Sequence, residues 1–326
     1  MTINQSSIYM WKRETTEGTA IITAVGDTTY QFGGLSDVIP DWEITSIENS
    51  IQKYWNNNSK LPILGFGNRE MSVFQTKCHP NSPIPEYQFL GVGNAATPST
   101  VAILDDGSRK DSYTIRHEGR EGSSQIIQKV GCFNVGISGK IERNKDELIM
   151  QDWAWQTLED NGDRSPLTAA SQVIYPEDLR TVYTGQPEII WDVGGAGEIS
   201  LTKIYRVDWE QKQNFTIVKT GTSYTINLHE YEPVGLRLIG LSLSNNQWDA
   251  MKDKTTHDVN VKVYKQNDIT KYKILKFNNC KIVKINKVGK TEEGFYINTI
   301  DLIGESFAVD FINEFTTLTD WMPNTP

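Results

Sequence analysis

Few side chains in this sequence are typed and spaced for chemistry. The four histidines are His79, His117, His229 and His257. A hydrolytic triad needs a nucleophile within reach of a histidine base. None of the four stands in a Gly-x-Ser-x-Gly or comparable setting, so solvated or turn roles are expected for them. Cys78-His79 offers two metal ligands, but tetrahedral zinc needs four well-spaced donors and no second Cys or His pair appears. Asp105-Asp106 and Asp160-Asn-Gly-Asp163 cluster oxygen donors without the alternating donors, sixth-place glycine and closing glutamate of a calcium loop, and read as turns. Gly65-Phe-Gly67-Asn-Arg69 has phosphate-cradle spacing, yet a β-rich run follows where a cradle would open a helix, so a bend or bulge is expected. Trp153 and Trp155 alternate on a predicted strand and suit either a sugar-stacking platform or a core or subunit contact, the second being the stronger reading. Nothing singles out a carboxylate pair for glycoside hydrolysis among 41 acidic residues. No catalytic, cofactor-binding or metal-binding residue is therefore assigned, and a non-enzymatic protein is expected.

The elements around these residues are β-strands. Tyr113 to Trp155 reads as a three-stranded meander: Tyr113–His117, Ile126–Ile137 and Leu148–Trp155, joined by polar turns. The pattern returns near the C-terminus. At the spacing that superposes Cys132 on Cys280 (280 − 132 = 148), Tyr113 meets Val261, Ile115 meets Val263, Ile126 meets Ile274, Val135 meets Val283, Ile137 meets Ile285 and Leu148 meets Tyr296. Because the matches fall at apolar positions while turn residues drift, one β-unit is used twice. On this register Trp153 and Trp155 correspond to Asp301 and Ile303. Cys132 and Cys280 then hold equivalent places at a strand bend, as small buried hydrophobes rather than partners in a disulfide.

Length agrees with duplication: 326 residues exceed what one core usually serves, and two domains are the default. The expected division is 1–165, a connecting segment 166–187 rich in turn residues, and 188–326. Asp41 to Trp55 fits helical or strand spacing and is assigned as strand. His79 to Pro85, with three prolines, is expected to be an extended loop. Short helices are expected near Pro176 and within Asn246–Thr256, and apolar anchors of the last segment at Phe311, Phe315 and Trp321.

With 38% hydrophobic and 22% charged residues, the chain has material for real cores. A net charge of −9 argues against coating DNA through phosphate contacts, which would need a basic face. The N-terminal residues show no secretory signal and no window is apolar enough to span a membrane, so a protein made and kept in a cytoplasm is expected.

Gly131-Cys-Phe-Asn-Val-Gly-Ile137 followed by Asp146-Glu-Leu-Ile-Met150, and more closely Asn279-Cys-Lys-Ile-Val-Lys-Ile285 followed by Asn298-Thr-Ile-Asp-Leu-Ile-Gly304, resemble the closing strands of phage tail tube subunits. The Gly65-x-Gly-x-Arg69 bend is similar as well. The resemblance, to tube proteins of long-tailed, siphovirus-like viruses of the tandem two-domain type, implies a mainly β fold. Each half would be a β-sandwich or barrel with at most a short helix. It further implies a structural virion protein, made in the host cytoplasm, whose homotrimers form pseudo-hexameric rings stacked into a tube. The partners implied are other copies of the chain, tape measure and terminator proteins, and DNA passing through the lumen without specific binding. A net-negative channel wall would let DNA pass unbound. The alternative is a β-sandwich carbohydrate- or receptor-binding component of a baseplate or fibre, resting on Trp153, Trp155 and the exposed tips Glu118–Ser124 and Gln266–Thr270.

Overall fold

A computed structural model describes residues 7–14, 16–18, 30–31, 48–54, 63–70, 73–80, 83–91, 100–102, 110–119, 125–156, 172–173, 182–191, 198–201, 203–220, 223–241, 249, 255–290 and 296–314. Within them the chain is mainly β, as expected. The strands of the first half are β1 (Ser7–Arg13), β2 (Tyr30–Gln31), β3 (Glu48–Tyr54), β4 (Ile63–Glu70), β5 (Phe74–Cys78), β6 (Thr100–Ala102), β7 (Tyr113–Gly119), β8 (Gln125–Glu142), β9 (Leu148–Ala154) and β10 (Gln172–Val173). The second half adds β11 (Tyr183–Trp191), β12 (Ile199–Leu201), β13 (Ile204–Thr220), β14 (Ser223–Tyr231), β15 (Val234–Leu241), β16 (His257–Lys265), β17 (Asp268–Lys290), β18 (Tyr296–Gly304) and β19 (Ser306–Ile312). A helix, α1, spans Ile84–Leu90.

Strand pairing shows that two units repeat the same plan. β1 pairs with β2 and β7 as β11 pairs with β12 and β16. The β3–β4 hairpin matches β13–β14, β5 on β9 matches β15 on β18, and β7–β8–β9 matches β16–β17–β18. The irregularities repeat too. β7 and β8 slip register between Tyr113 and Ile115, and β16 and β17 slip between His257 and Val259. The extra residues opposite each slip include Gly131 (φ 64) and Asn279 (φ 52), the left-handed backbone that a bulge of this kind needs. A second bulge lies at Asn134/Gly136 in one unit and Ile282/Lys284 in the other, and a third at Asn49/Ile51 and Gln213/Phe215.

These registers correct the sequence alignment. Cys132 does match Cys280, but the first strand of the meander shifts: Tyr113 faces Cys132 as His257 faces Cys280, so Tyr113 matches His257 rather than Val261. The cause is the longer second hairpin, whose extra residues lie beyond the bulge. In the third strand Trp153 matches Leu302, not Asp301, because Asn134 pairs with Trp153 as Ile282 pairs with Leu302. With this register the apolar identities improve. Trp11 faces Ile115 as Trp191 faces Val259, and each tryptophan contacts the ring of the matched residue, Tyr113 (5.6 Å between centroids) or His257 (4.8 Å).

The bulges let β8 and β17 serve two sheets each. The N-terminal half of β8 pairs with β7, and its C-terminal half joins a central sheet of order β5-β9-β8-β13-β15-β18-β17. The N-terminal half of β17 lies between β16 and β19 in a flanking sheet that continues to β11 and β12 on one side and β6 on the other. Strands that switch sheets at a bulge make the corners of a sandwich. Between the layers sit Trp11, Phe74, Tyr113, Cys132, Trp153, Trp191, Trp209, Leu236, Phe277, Cys280, Leu302 and Phe307, all buried.

Some expectations change, some hold and some lie outside the described residues. His79–Pro85 is not wholly extended: Ile84 opens α1, with Pro85 in its first turn, where a missing N–H costs no hydrogen bond. The bend at Gly65–Arg69 is part of β4 and contains the bulge opposite Asn49 and Ile51. The helix near Pro176, most of Asn246–Thr256, and Phe315 and Trp321 fall outside the described residues, whereas Phe311 is buried in β19. β11 begins at Tyr183, within the segment expected to connect the halves.

Candidate functional site

The joint between the two units is the most developed site. Arg206–Lys212 of β13 pairs antiparallel with Gly136–Glu142 of β8, so a strand of the second unit extends the sheet of the first. Gly139 makes room for this: a Cβ there would run into the Trp209 indole. Beyond the paired stretch, the β13–β14 hairpin lays Phe215, Ile217, Ile226 and Leu228 over Phe133, Val135 and Ala154, which form a small second core. Tyr231 at the base of this hairpin donates a hydrogen bond to the Phe89 carbonyl (3.0 Å). The same carbonyl accepts from Lys110 Nζ (2.7 Å), which also bonds the Asn134 carbonyl (2.6 Å). Burial holds the Lys110 ammonium pKa well below the usual lysine range. The amine sits at the C-terminal end of α1, where the Phe89 carbonyl accepts its hydrogen bond.

A buried ionic cluster forms the second tie. Lys273 of β17 lies 2.6 Å from Glu86 Oε1 of α1 and 2.6 Å from Glu147 Oε2, just before β9, and all three side chains are fully buried. Tyr183 covers the ammonium with its ring (4.7 Å) and donates its hydroxyl to both oxygens of Glu314 (2.9 Å), which Lys265 contacts at 2.8 Å. The two carboxylates facing Lys273 come from the first half of the chain; the other groups come from the second.

Two carboxylates around one ammonium leave the cluster a proton short of neutrality. Glu147 resolves this: burial raises its carboxyl pKa to about 7, Lys273 opposes the rise and Glu86 adds to it. Its Oε2 is in ion-pair contact but out of line for a hydrogen bond, and its Oε1 has no partner. For Lys273, burial alone would lower the pKa, yet Glu147 and Glu86 outweigh it and the net shift is upward. Cys78 borders the cluster, and burial together with Glu86 and Glu147 pushes its thiol up to about 12. Such a thiol is a poor nucleophile and metal ligand.

The sequence candidates fall elsewhere. Trp153 is fully buried, donates from Nε1 to Thr76 Oγ1 (3.0 Å), stacks on Phe74 and meets Tyr113 edge-on. Trp155 is buried beside Phe74 with Lys129 Nζ 4.0 Å above its ring. They therefore do not form an open sugar-stacking platform, which corrects the observation behind the glycan-binding alternative. His79 Nδ1 meets the Glu147 carbonyl (2.8 Å), His229 meets Thr216 (3.0 Å) and His257 meets Thr255 (3.0 Å). Cys78, Cys132 and Cys280 are free and buried. Among the described residues no three His, Cys, Asp or Glu side chains gather as metal ligands, and no helix is long and apolar enough to cross a membrane. No sequence motif marks the ionic cluster, although Lys273 shares the inward phase of β17 with Leu275 and Phe277, an available signal.

No family profile matches the chain, and neither does any curated protein. Among solved structures, it is similar to a chain of the anti-feeding prophage baseplate in its cryo-EM structure, 6-fold symmetrised. That likeness has 11% identity and a TM-score of 0.31, and covers 38% of this chain and 91% of that one.

Proposed function

We propose that the protein is a non-enzymatic structural component of a virion tail, a tube subunit whose chains associate in threes as pseudo-hexameric rings around a channel for the genome. The observation that carries this reading is the β8–β13 joint between two copies of one unit. Two equivalent units joined head to tail through a shared sheet are already one step of a ring. A heterologous contact of this kind repeats until the rotation closes. Closure removes free sheet edges, which are otherwise a template for indiscriminate pairing.

Three chains supply six units, and the remaining partners are those of a tube: further rings above and below, tape measure and terminator proteins at its ends, and DNA that passes without specific binding. A permanent contact between chains should bury about 2,000 Å² or more. With Trp153 and Trp155 in the core, the tryptophan pair lends the receptor-binding reading no support. Negative-stain micrographs of the purified chain test the proposal. Rings with a central hole and three-fold chain symmetry are expected, and isolated particles of single-chain size at high protein concentration would refute it.

A further inference from the structure

The surface that this assembly would use is specified by what covers its equivalent within the chain. In the first unit, Phe133, Val135 and Ala154 are buried under the β13–β14 hairpin. The matched residues of the second unit are Lys281, Val283 and Ile303. Lys281 is exposed, Val283 is 54% exposed and Ile303 is 47% exposed. Two large apolar side chains thus stand in solvent at the place where the first unit keeps its own apolar pair under a hairpin. The neighbouring edge repeats the contrast. β8 is paired on both sides from Gly136 to Lys140, by β9 and β13. The matched stretch of β17 from Lys284 onward pairs with β18 alone among the described residues.

We infer that this surface, Val283 and Ile303 together with the outer edge of β17 at Lys284, docks the β3–β4 hairpin of a second copy of the chain. The hairpin is the first unit's counterpart of β13–β14 and carries the same bulge. Matching the two registers sets Ile51, Leu64 and Phe66 at the positions of Phe215, Ile226 and Leu228, the residues that cover the first unit's patch. The same matching fixes the new junction's register. Lys212 faces Gly136 within the chain, and Glu48 occupies the position of Lys212 while Lys284 occupies that of Gly136. Glu48 of one copy therefore falls opposite Lys284 of the next, an opposite-charge pair of the kind that stabilises a cross-strand contact. Lys281, Lys284, Lys287 and Lys290 recur along β17. They disfavour the symmetric alternative, two β17 edges pairing with each other, because like charges would then be brought together.

This inference rests on the reading that the chain assembles with itself, and the test separates the two. The full-length double variant Glu48→Cys/Lys284→Cys is oxidised and run on a denaturing gel, with each single variant as a control and native mass measured in parallel. The three native cysteines are buried and do not compete. Covalent multimers from the double variant alone are expected, ending at the trimer. A ladder running past the trimer would uphold the docking surface and overturn the three-chain ring. An assembled particle without cross-links, or equal cross-linking in Lys284→Cys alone, would overturn the docking surface and leave assembly standing. A single-chain mass would overturn both. As a second measurement, Val283→Lys/Ile303→Lys alters exposed side chains only, so circular dichroism should be unchanged while native mass falls to that of one chain, 36.9 kDa. Persistence of the assembly in this variant would also count against the inference.

Discussion

Replacing Glu147 by glutamine gives the sharpest view of how the two units are held together. In the folded chain the Glu147 carboxyl titrates at about 7, against 4.5 for an ordinary glutamate, because it is buried beside Glu86. A group whose folded pKa is raised binds its proton more tightly in the native state, so its stabilising contribution is complete below pH 4.5 and is lost as pH rises to about 7. The difference of 2.5 units (7 − 4.5) corresponds to about 3 kcal/mol at about 1.4 kcal/mol per unit. Glutamine cannot ionise and leaves Lys273 facing Glu86 one to one. Stability measured by urea unfolding, with tryptophan fluorescence as the probe, should therefore change with pH differently in the two proteins. The difference, variant minus parent, should climb by about 3 kcal/mol between pH 4.5 and 7 and stay level above. Taking the difference cancels the other titrating groups, including Glu314, whose carboxyl is also raised by burial. A difference that does not vary with pH would refute the assignment of the missing proton to Glu147.

Trp153→Ala should cost about 3–5 kcal/mol, since it empties a fully buried site between Phe74 and Tyr113 and strands the Thr76 hydroxyl. Loss of glycan binding with unchanged thermal stability would contradict this. Gly139→Val should lower stability by about 1–3 kcal/mol or more, because the new side chain meets Trp209 across the β8–β13 joint. Gly235→Ala is its control, as the added Cβ would find only ordinary contact with the Glu210 carbonyl at 3.7 Å; equal melting temperatures for the two variants would deny the joint its tight packing.

The duplication was visible in the sequence because a repeated sheet repeats its apolar phase: Val135 with Val283 and Ile137 with Ile285 match in both the sequence and the structure. What the sequence hid were changes in count. The longer β16–β17 hairpin displaced the match of Tyr113, and one residue in the following turn turned Trp153 from a partner of Leu302 into an apparent partner of Asp301. Only backbone pairing registers such slips. Bulges were foreseen at Gly65–Arg69, where glycine marks the site, but not at Asn279, where asparagine takes the left-handed backbone instead. Helix α1 was obscured by its prolines, read as loop formers although Pro85 fits the first helical turn. The ionic cluster could not be assembled from sequence, because Glu86, Glu147 and Lys273 are far apart in the chain and meet only through the sandwich.

A chain built from two equivalent units is proposed to close into a ring with two further copies. Native mass spectrometry of the purified full-length protein addresses it most directly. A dominant species of about 111 kDa, three chains of 36.9 kDa, or integral stacks of it, is predicted. A single 36.9 kDa species persisting as concentration is raised would contradict it.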